Sequence, residues 1–189
     1  PRLGIYFLEK GASQRASTVC YDRVGSSISL AKRTDFDWDR ILEGADWFHF
    51  TGITPALGGE LPNICMDACE AAKGKRLTVS CDLNYRKSLW TREQASKIIS
   101  VLMQHIDVCV ANEEDALDVF GIAAENTDIV GGRLSQDGYC SVAEQISQRF
   151  NIPKVAITLR SSISANDNEW SGLLYDKGVC YFAPNYRIH

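Results

Sequence analysis

The sequence predicts an α/β sandwich, a mostly parallel sheet covered by helices, with a small β-ribbon attached at its N-terminal side. Three observations carry this. Strand-length apolar runs alternate with segments of helical period from Trp47 to Leu159, the pattern of right-handed βαβ crossovers. The run Trp47 to Thr51 reads as a continuous apolar strand closed by Gly52. Before residue 35 the pattern differs: two short β-rich runs flank a polar loop.

The elements follow in order. Gly4 to Glu9 and Thr18 to Val24 are the ribbon strands, joined by the polar stretch Lys10 to Ala16. A period of two sets Val19, Tyr21 and Arg23 on one face and Tyr6 with Leu8 on one face. Tyr and Arg make a poor core face and a good ligand face; the alternative is an amphipathic edge facing solvent. After the strand Trp47 to Thr51, Leu61, Ile64, Cys65, Ala68, Cys69 and Ala72 recur at helical spacing and Gly74 marks a stop. Leu77 to Cys81 is the next strand. Thr91-Arg92-Glu93-Gln94 opens a capped helix whose inward positions include Ala95, Ile98, Ile99 and Leu102. Asp107 to Ala111 is a strand and Glu113 to Phe120 a helix ended by Gly121. Gly131 to Gln136 reads as a loop, and Tyr139, Val142, Ile146 and Phe150 stripe another helix. Val155 to Leu159 is the fourth core strand. Trp170 to Tyr175 and Val179 to Phe182 flank the hairpin turn Asp176-Lys177-Gly178. The chain divides into ribbon strands at 1–34 and an α/β core at 35–189.

Composition narrows the classes. The 189 residues are 45% hydrophobic with four Trp, seven Tyr and seven Phe, enough to build a core and too much for disorder. No run approaches the roughly 18 apolar residues of a membrane span. A net charge of −4 without a basic block argues against a dedicated nucleic-acid binder. The seven Cys are odd in number and scattered, as for small hydrophobes in a reducing cytoplasm. Cys65 and Cys69 lie one helical turn apart, but no second Cys or His pair completes a zinc site. The start at Pro1 and the stop at His189 without a closing helix suggest a piece of a longer protein, lacking both ends.

In an open parallel sheet, ligands bind beyond the carboxyl ends of the strands. Here those ends read Thr51-Gly52-Ile53-Thr54-Pro55, Asp82-Leu83-Asn84-Tyr85-Arg86, Asn112-Glu113-Glu114-Asp115 and Leu159-Arg160-Ser161. Three of the four place charged residues on one rim. Arg86 offers a planar fork able to grip a carboxylate or phosphoryl group; the alternative is a local Asp82–Arg86 ion pair. Asn112 is a natural helix cap; the functional alternative is that Asn112 and Asp115, one turn apart, organise waters around Mg²⁺.

These segments carry a resemblance. Gly4-Ile5-Tyr6-Phe7-Leu8-Glu9, Tyr21-Asp22-Arg23-x-Gly25-Ser26, Phe50-Thr51-Gly52-Ile53-Thr54-Pro55-Ala56-Leu57, Asp82-x-Asn84-Tyr85-Arg86-x-x-Leu89-Trp90 and Asn112-Glu113-Glu114-Asp115-Ala116 resemble, in order and spacing, the ribokinase-like (PfkB) family of carbohydrate kinases. The Gly-Ile-Thr-Pro-Ala-Leu run and the Tyr-x-Arg ribbon are most similar to its branch acting on 2-dehydro-3-deoxy-D-gluconate. The resemblance implies a ribokinase-like three-layer sandwich with the ribbon as a lid over the sugar. It implies ATP-dependent phosphoryl transfer to a sugar-acid hydroxyl, with Mg²⁺. By position, Tyr6, Tyr21 and Arg23 would touch the sugar acid from the lid and Ile53 would line the pocket floor. Arg86 would meet the substrate carboxylate or the phosphoryl in flight, the catalytic role assigned within this chain. Asn112 would serve the nucleotide side and Asp115 the metal, through water; Arg160 and Ser161 stand where the nucleotide loop begins. Such lids often pair across a two-fold axis, which raises the expectation of a homodimer.

Two positions depart from the family pattern. Asp115 stands where a Glu is usual, shortening the reach by about one methylene. Arg160, Ser161 and Ser162 occupy a stretch often rich in glycine. The family's base motif, Asp-x-x-Gly-x-Gly-Asp, does not occur in these 189 residues, so the isolated chain is expected to be inactive. Arg23 together with Arg86 favours an anionic substrate; a kinase of fructose, ribose or another neutral sugar, and a non-catalytic sugar-acid binder, are the alternatives.

Overall fold

The computed structural model describes residues 2–12, 15–123, 136–164 and 167–188. Strands β1 (Ile5–Glu9) and β2 (Thr18–Asp22) pair antiparallel as a separate two-stranded sheet. Their register sets Tyr6 opposite Tyr21 and Leu8 opposite Val19 on one face, and Phe7 opposite Cys20 on the other. All six side chains are exposed, so neither face of the ribbon finds cover among the described residues. Just beyond the ribbon, Arg33 donates two hydrogen bonds to Asp67, at 2.6 and 2.5 Å, and its amide donates to Glu60 at 2.9 Å. These contacts tie the connecting segment to the core.

The core elements are α1 (Trp38–Ile41), β3 (Trp47–Thr51), α2 (Ile53–Ala56), α3 (Leu61–Gly74), β4 (Thr78–Asp82), α4 (Arg92–Leu102), β5 (Val108–Ala111), α5 (Glu113–Phe120), α6 (Gln136–Phe150), β6 (Lys154–Ser162), β7 (Asn168–Asp176), β8 (Val179–Phe182) and β9 (Tyr186–Ile188). The sheet runs β3-β4-β5-β6-β7-β8, with β9 also on β7. Its first four strands are parallel, and the remaining pairings are antiparallel.

Local chemistry sets the boundaries. Thr91 and Gln94 form a reciprocal capping box at α4, and the Asn112 side chain accepts the Asp115 amide at 2.7 Å to start α5. Gly121 ends α5 with φ 68°, a left-handed conformation that glycine adopts without a Cβ penalty. Gly74, read as a stop, is the last residue of α3; the left-handed residue lies further on, at Arg76 with φ 62°. Lys177 and Gly178, with φ 49° and 92°, make the tight β7–β8 turn. Of the loop read at 131–136, Gln136 opens α6 and residues 131–135 lie outside the described residues.

Because every crossover from β3 to β6 steps in the same direction, right-handedness puts α3 to α6 on one face. That face is the core: Phe50, Val79, Cys81, Cys109, Ala111, Val155, Ile157 and Leu173 are buried beneath Cys65, Ala68, Ile99, Ala116, Val142 and Ile146. The register places Asp82, Val110, Ala156, Leu174 and Tyr181 on the opposite face, where they are half-buried or exposed. The cysteines divide. Cys65, Cys69, Cys81 and Cys109 are buried free thiols, and Cys20 is an exposed one. Cys140 of α6 and Cys180 of β8 are bonded to each other, with Cα atoms 6.2 Å apart, a pair the sequence pattern did not single out. Among the described residues no helix is long and apolar enough to cross a membrane.

Candidate functional site

The carboxyl ends of β4, β5 and β6 surround a cavity of about 570 Å³ on the sheet face opposite the helices. Asp82, Asn84 and Arg86 come from the end of β4, Asn112, Glu114 and Asp115 from the start of α5, and Thr158 and Arg160 from β6. Trp170 of β7 closes one side and Val110 lies at the floor. Strand registry gathers them: Asp82 pairs with Val110, and Arg160 pairs with Trp170 across the antiparallel junction.

Arg86 is exposed at the rim, and no carboxylate within 4 Å pairs with it among the described residues. The local Asp82–Arg86 ion pair is therefore absent, and the guanidinium is available to an anion. Arg160 is held differently: its Nε and Nη2 donate to Asn168 Oδ1 at 3.1 and 2.9 Å, and its guanidinium lies 5.2 Å from the centre of the Trp170 ring. This planar cation is oriented by an amide below and an aromatic face beside it.

Burial shapes the acids. It pushes the Asp115 carboxyl up to about 6, although the Tyr85 amide pulls the other way and the nearby Asp82 adds to the rise. Burial also raises Asp82, against the opposing pull of His49, the Asn84 amide and Arg86. Two carboxylates with raised pKa beside two guanidiniums make a rim able to hold anions and cations together. The donors suit a hydrated Mg²⁺ held through water, since Asp82, Glu114 and Asp115 are hard oxygen ligands. Direct ligation fits less well: Asn112 Oδ1 is engaged by the Asp115 amide and Asp115 Oδ1 by the Tyr85 amide, and no cluster of three ligating side chains occurs among the described residues.

Comparison with known proteins bears on the fold. A 2-dehydro-3-deoxygluconokinase from Thermotoga maritima is 52% identical over 100% of this chain and 55% of its own, with a TM-score of 0.93. A PfkB family carbohydrate kinase from Listeria grayi is 32% identical over 100% of this chain and 55% of its own, with a TM-score of 0.86. This chain has the PfkB carbohydrate-kinase fold. In sequence, a 2-dehydro-3-deoxygalactonokinase from Haloferax volcanii is 35% identical over 60% of this chain and 36% of its own length. No family model matches. The chain spans about half the length of the PfkB structures it resembles, 55% for both of the two named above.

Within the PfkB fold, Arg86, Asn112, Asp115 and Arg160 come together at one cavity. Tyr6, Tyr21, Arg23 and Ile53 are not among its lining residues. The Arg23 guanidinium instead stacks 3.9 Å from the centre of the Tyr21 ring, on the ribbon face that also carries Tyr6. Ile53 begins the short α2, half-buried directly after Gly52. The Ser161 side chain lies outside the described residues. Sequence reasoning missed Trp170 and Thr158. Their signal is a hairpin register across β6 and β7, which is invisible until the turn joining them is located.

Proposed function

We propose that this chain is the central part of an ATP-dependent sugar-acid kinase whose acceptor is 2-dehydro-3-deoxy-D-gluconate. The observation that supports it most is the 52% identity to a 2-dehydro-3-deoxygluconokinase along the whole chain, with Arg86 free at the cavity rim. Phosphoryl transfer needs positioning and charge stabilisation more than covalent chemistry. ATP would supply the phosphoryl group, and Mg²⁺ would offset charge on its oxygens. In this reading Arg86 grips the substrate carboxylate or the transferring group. Tyr6, Tyr21 and Arg23 contact the sugar acid when the ribbon covers the cavity, and Ile53 borders it. Asn112, Arg160 and Ser161 serve the nucleotide side, and Asp115 the hydrated metal. The ribbon's uncovered apolar face, with Phe7 and Cys20, suits a second copy of the chain across a two-fold axis. The setting would be the cytoplasm.

A specific observation favours a second reading: the similarity to a 2-dehydro-3-deoxygalactonokinase makes the C4 epimer an alternative acceptor. The test measures ADP release by the protein that contains this chain, offered both sugar acids, fructose and ribose with ATP and Mg²⁺. A kcat/KM at least tenfold higher for the sugar acids supports the proposal. Equal use of fructose or ribose returns the neutral-sugar reading, and binding without turnover returns the non-catalytic sugar-acid binder. The 189 residues alone lack the Asp-x-x-Gly-x-Gly-Asp base motif and should give no ADP above background.

A further inference from the structure

The loop leaving β4 is held from both sides. Towards β3, the Gly52 amide donates to the Asp82 carbonyl at 2.7 Å, and Asn84 Nδ2 donates to Thr51 Oγ1 at 3.2 Å. Asn84 itself takes a left-handed φ of 39°, which turns the chain sharply and which Asn tolerates better than most residues. Towards β5, the Leu83 amide donates to the Val110 carbonyl at 2.9 Å, and the Tyr85 amide donates to Asp115 Oδ1 at 3.0 Å. The Tyr85 hydroxyl reaches the Trp90 carbonyl at 3.2 Å. Arg86 follows at once and is the first exposed residue of the loop.

Asp115 is 8% exposed and sits in the first turn of α5, where Asn112 holds its own amide at 2.7 Å. Its backbone cannot retreat without breaking that cap. The short side chain accepts from the Asn112 amide within its own first turn and, across to the β4 loop, from the amide next to Arg86. A Glu would extend about 1.5 Å farther, one C–C bond, and overshoot it.

Resting on the kinase reading, we infer that Asp115 is a positioning residue: by holding the Tyr85 amide it fixes where Arg86 stands over the cavity, and so sets the grip on the substrate anion. The role requires an acceptor oxygen of the right reach, not a negative charge. It replaces the hydrated-metal role given to Asp115 above, which would require the charge and tolerate an added methylene.

The test uses the protein that contains this chain, carrying Asp115→Asn, Asp115→Glu or Asp115→Ala, each with and without Arg86→Ala. Amide hydrogen exchange at Tyr85 reads the clamp. Calorimetric titration with 2-dehydro-3-deoxygluconate reads the anion grip, and titration with Mg²⁺ reads the metal. Asp115→Asn keeps an acceptor oxygen and should hold Tyr85 protection within about threefold, while Asp115→Glu and Asp115→Ala should speed exchange about tenfold, as loss of one hydrogen bond does. Sugar-acid affinity should fall in the same order, and the fall should vanish in the Arg86→Ala background; a merely structural role would persist there. Should Asp115→Ala fail to fold, the Asn and Glu variants still give opposite orders under the two roles. Wild-type Tyr85 exchange in Asp115→Glu, with Mg²⁺ affinity kept in Asp115→Glu and lost in Asp115→Asn and Asp115→Ala, overturns the inference. If the wild-type protein binds neither sugar acid, the kinase reading fails, and Tyr85 exchange still decides the clamp.

Discussion

Replacing Gly52 by alanine would push a methyl group into the backbone of the neighbouring strand's exit loop. A Cβ built there lies 2.1 Å from the Leu83 carbonyl oxygen and 3.1 Å from its carbon. Bringing the nearer contact to 3.0 Å requires a displacement of about 0.9 Å (3.0 − 2.1), and both partners are main chain, so no side chain can swing aside. Gly52 has φ −59° and ψ −12°, ordinary right-handed values that alanine adopts freely. Conformational strain is therefore no part of the cost, and alanine even gains about 0.4–1 kcal/mol by restricting the unfolded chain. Against that gain stand an overpacking cost of about 1–3 kcal/mol and the loss of the 2.7 Å bond from the Gly52 amide to the Asp82 carbonyl, about 1 kcal/mol. The net expectation is a destabilisation of about 1.5–3 kcal/mol. Urea unfolding followed by circular dichroism would show it as a lower midpoint at unchanged slope. The same shift parts β3 from β4 where Asn84 meets Thr51, so Arg86 should move and sugar-acid affinity should fall with stability. A Gly52→Ala chain within about 0.5 kcal/mol of wild type would refute this, because the contact would then be relieved by a motion too cheap to matter.

Three other expectations can be checked directly. Arg86→Ala should weaken sugar-acid binding by at least tenfold while leaving the urea stability within about 0.5 kcal/mol, since Arg86 is exposed and has no ion pair among the described residues; calorimetry on the two chains decides it. Asn112→Ala removes the α5 cap and should cost about 1 kcal/mol, whereas Asn112→Asp should recover most of it; equal loss in both would place the role of Asn112 outside the cap. Burial pushes the thiols of Cys65 and Cys69 up to about 12, and raises Cys81 and Cys109 as well. Above pH 9 the unfolded chain releases these protons and the folded chain does not, so stability is lost as pH rises. Each thiol contributes about 1.4 kcal/mol of loss per pH unit there, roughly 5 kcal/mol for four between pH 8 and 10. Urea midpoints at the two values should differ accordingly in wild type, and by much less when Cys81 and Cys109 are Ala; an identical drop in both would sink the argument.

Much of the fold was legible in residues. The Thr91–Gln94 capping box, the Asn112 cap and the Gly121 stop mark helices because each satisfies backbone groups within one turn of its own position. Strand β3 was legible from Trp47, Phe48 and Phe50 and the closing Gly52, although His49 interrupts the run and the strand proves to be a largely exposed edge of the sheet. Strand β9 was not, because Tyr186–Ile188 is three residues long and exposed, and it exists only through pairing with β7. The disulfide between Cys140 and Cys180 likewise depends on α6 packing near β8, forty residues away in sequence.

The candidate site divides along the same line. Arg86, Asn112, Asp115 and Arg160 were legible as polar residues at strand ends, because a parallel sheet delivers its strand ends to a common edge. That Arg160 is pinned by Asn168 and Trp170, and that Asp115 holds the Tyr85 amide, depends on distances between segments that no periodicity records. The position of Tyr6, Tyr21 and Arg23 relative to that edge is also a tertiary matter: the sequence specifies a ribbon and its two faces, while the packing stacks Arg23 on Tyr21. Local hydrogen bonding and side-chain period are written in the order of residues. Which loop leans on which is set by the summed packing of the whole sheet, and that exists only once the chain has folded.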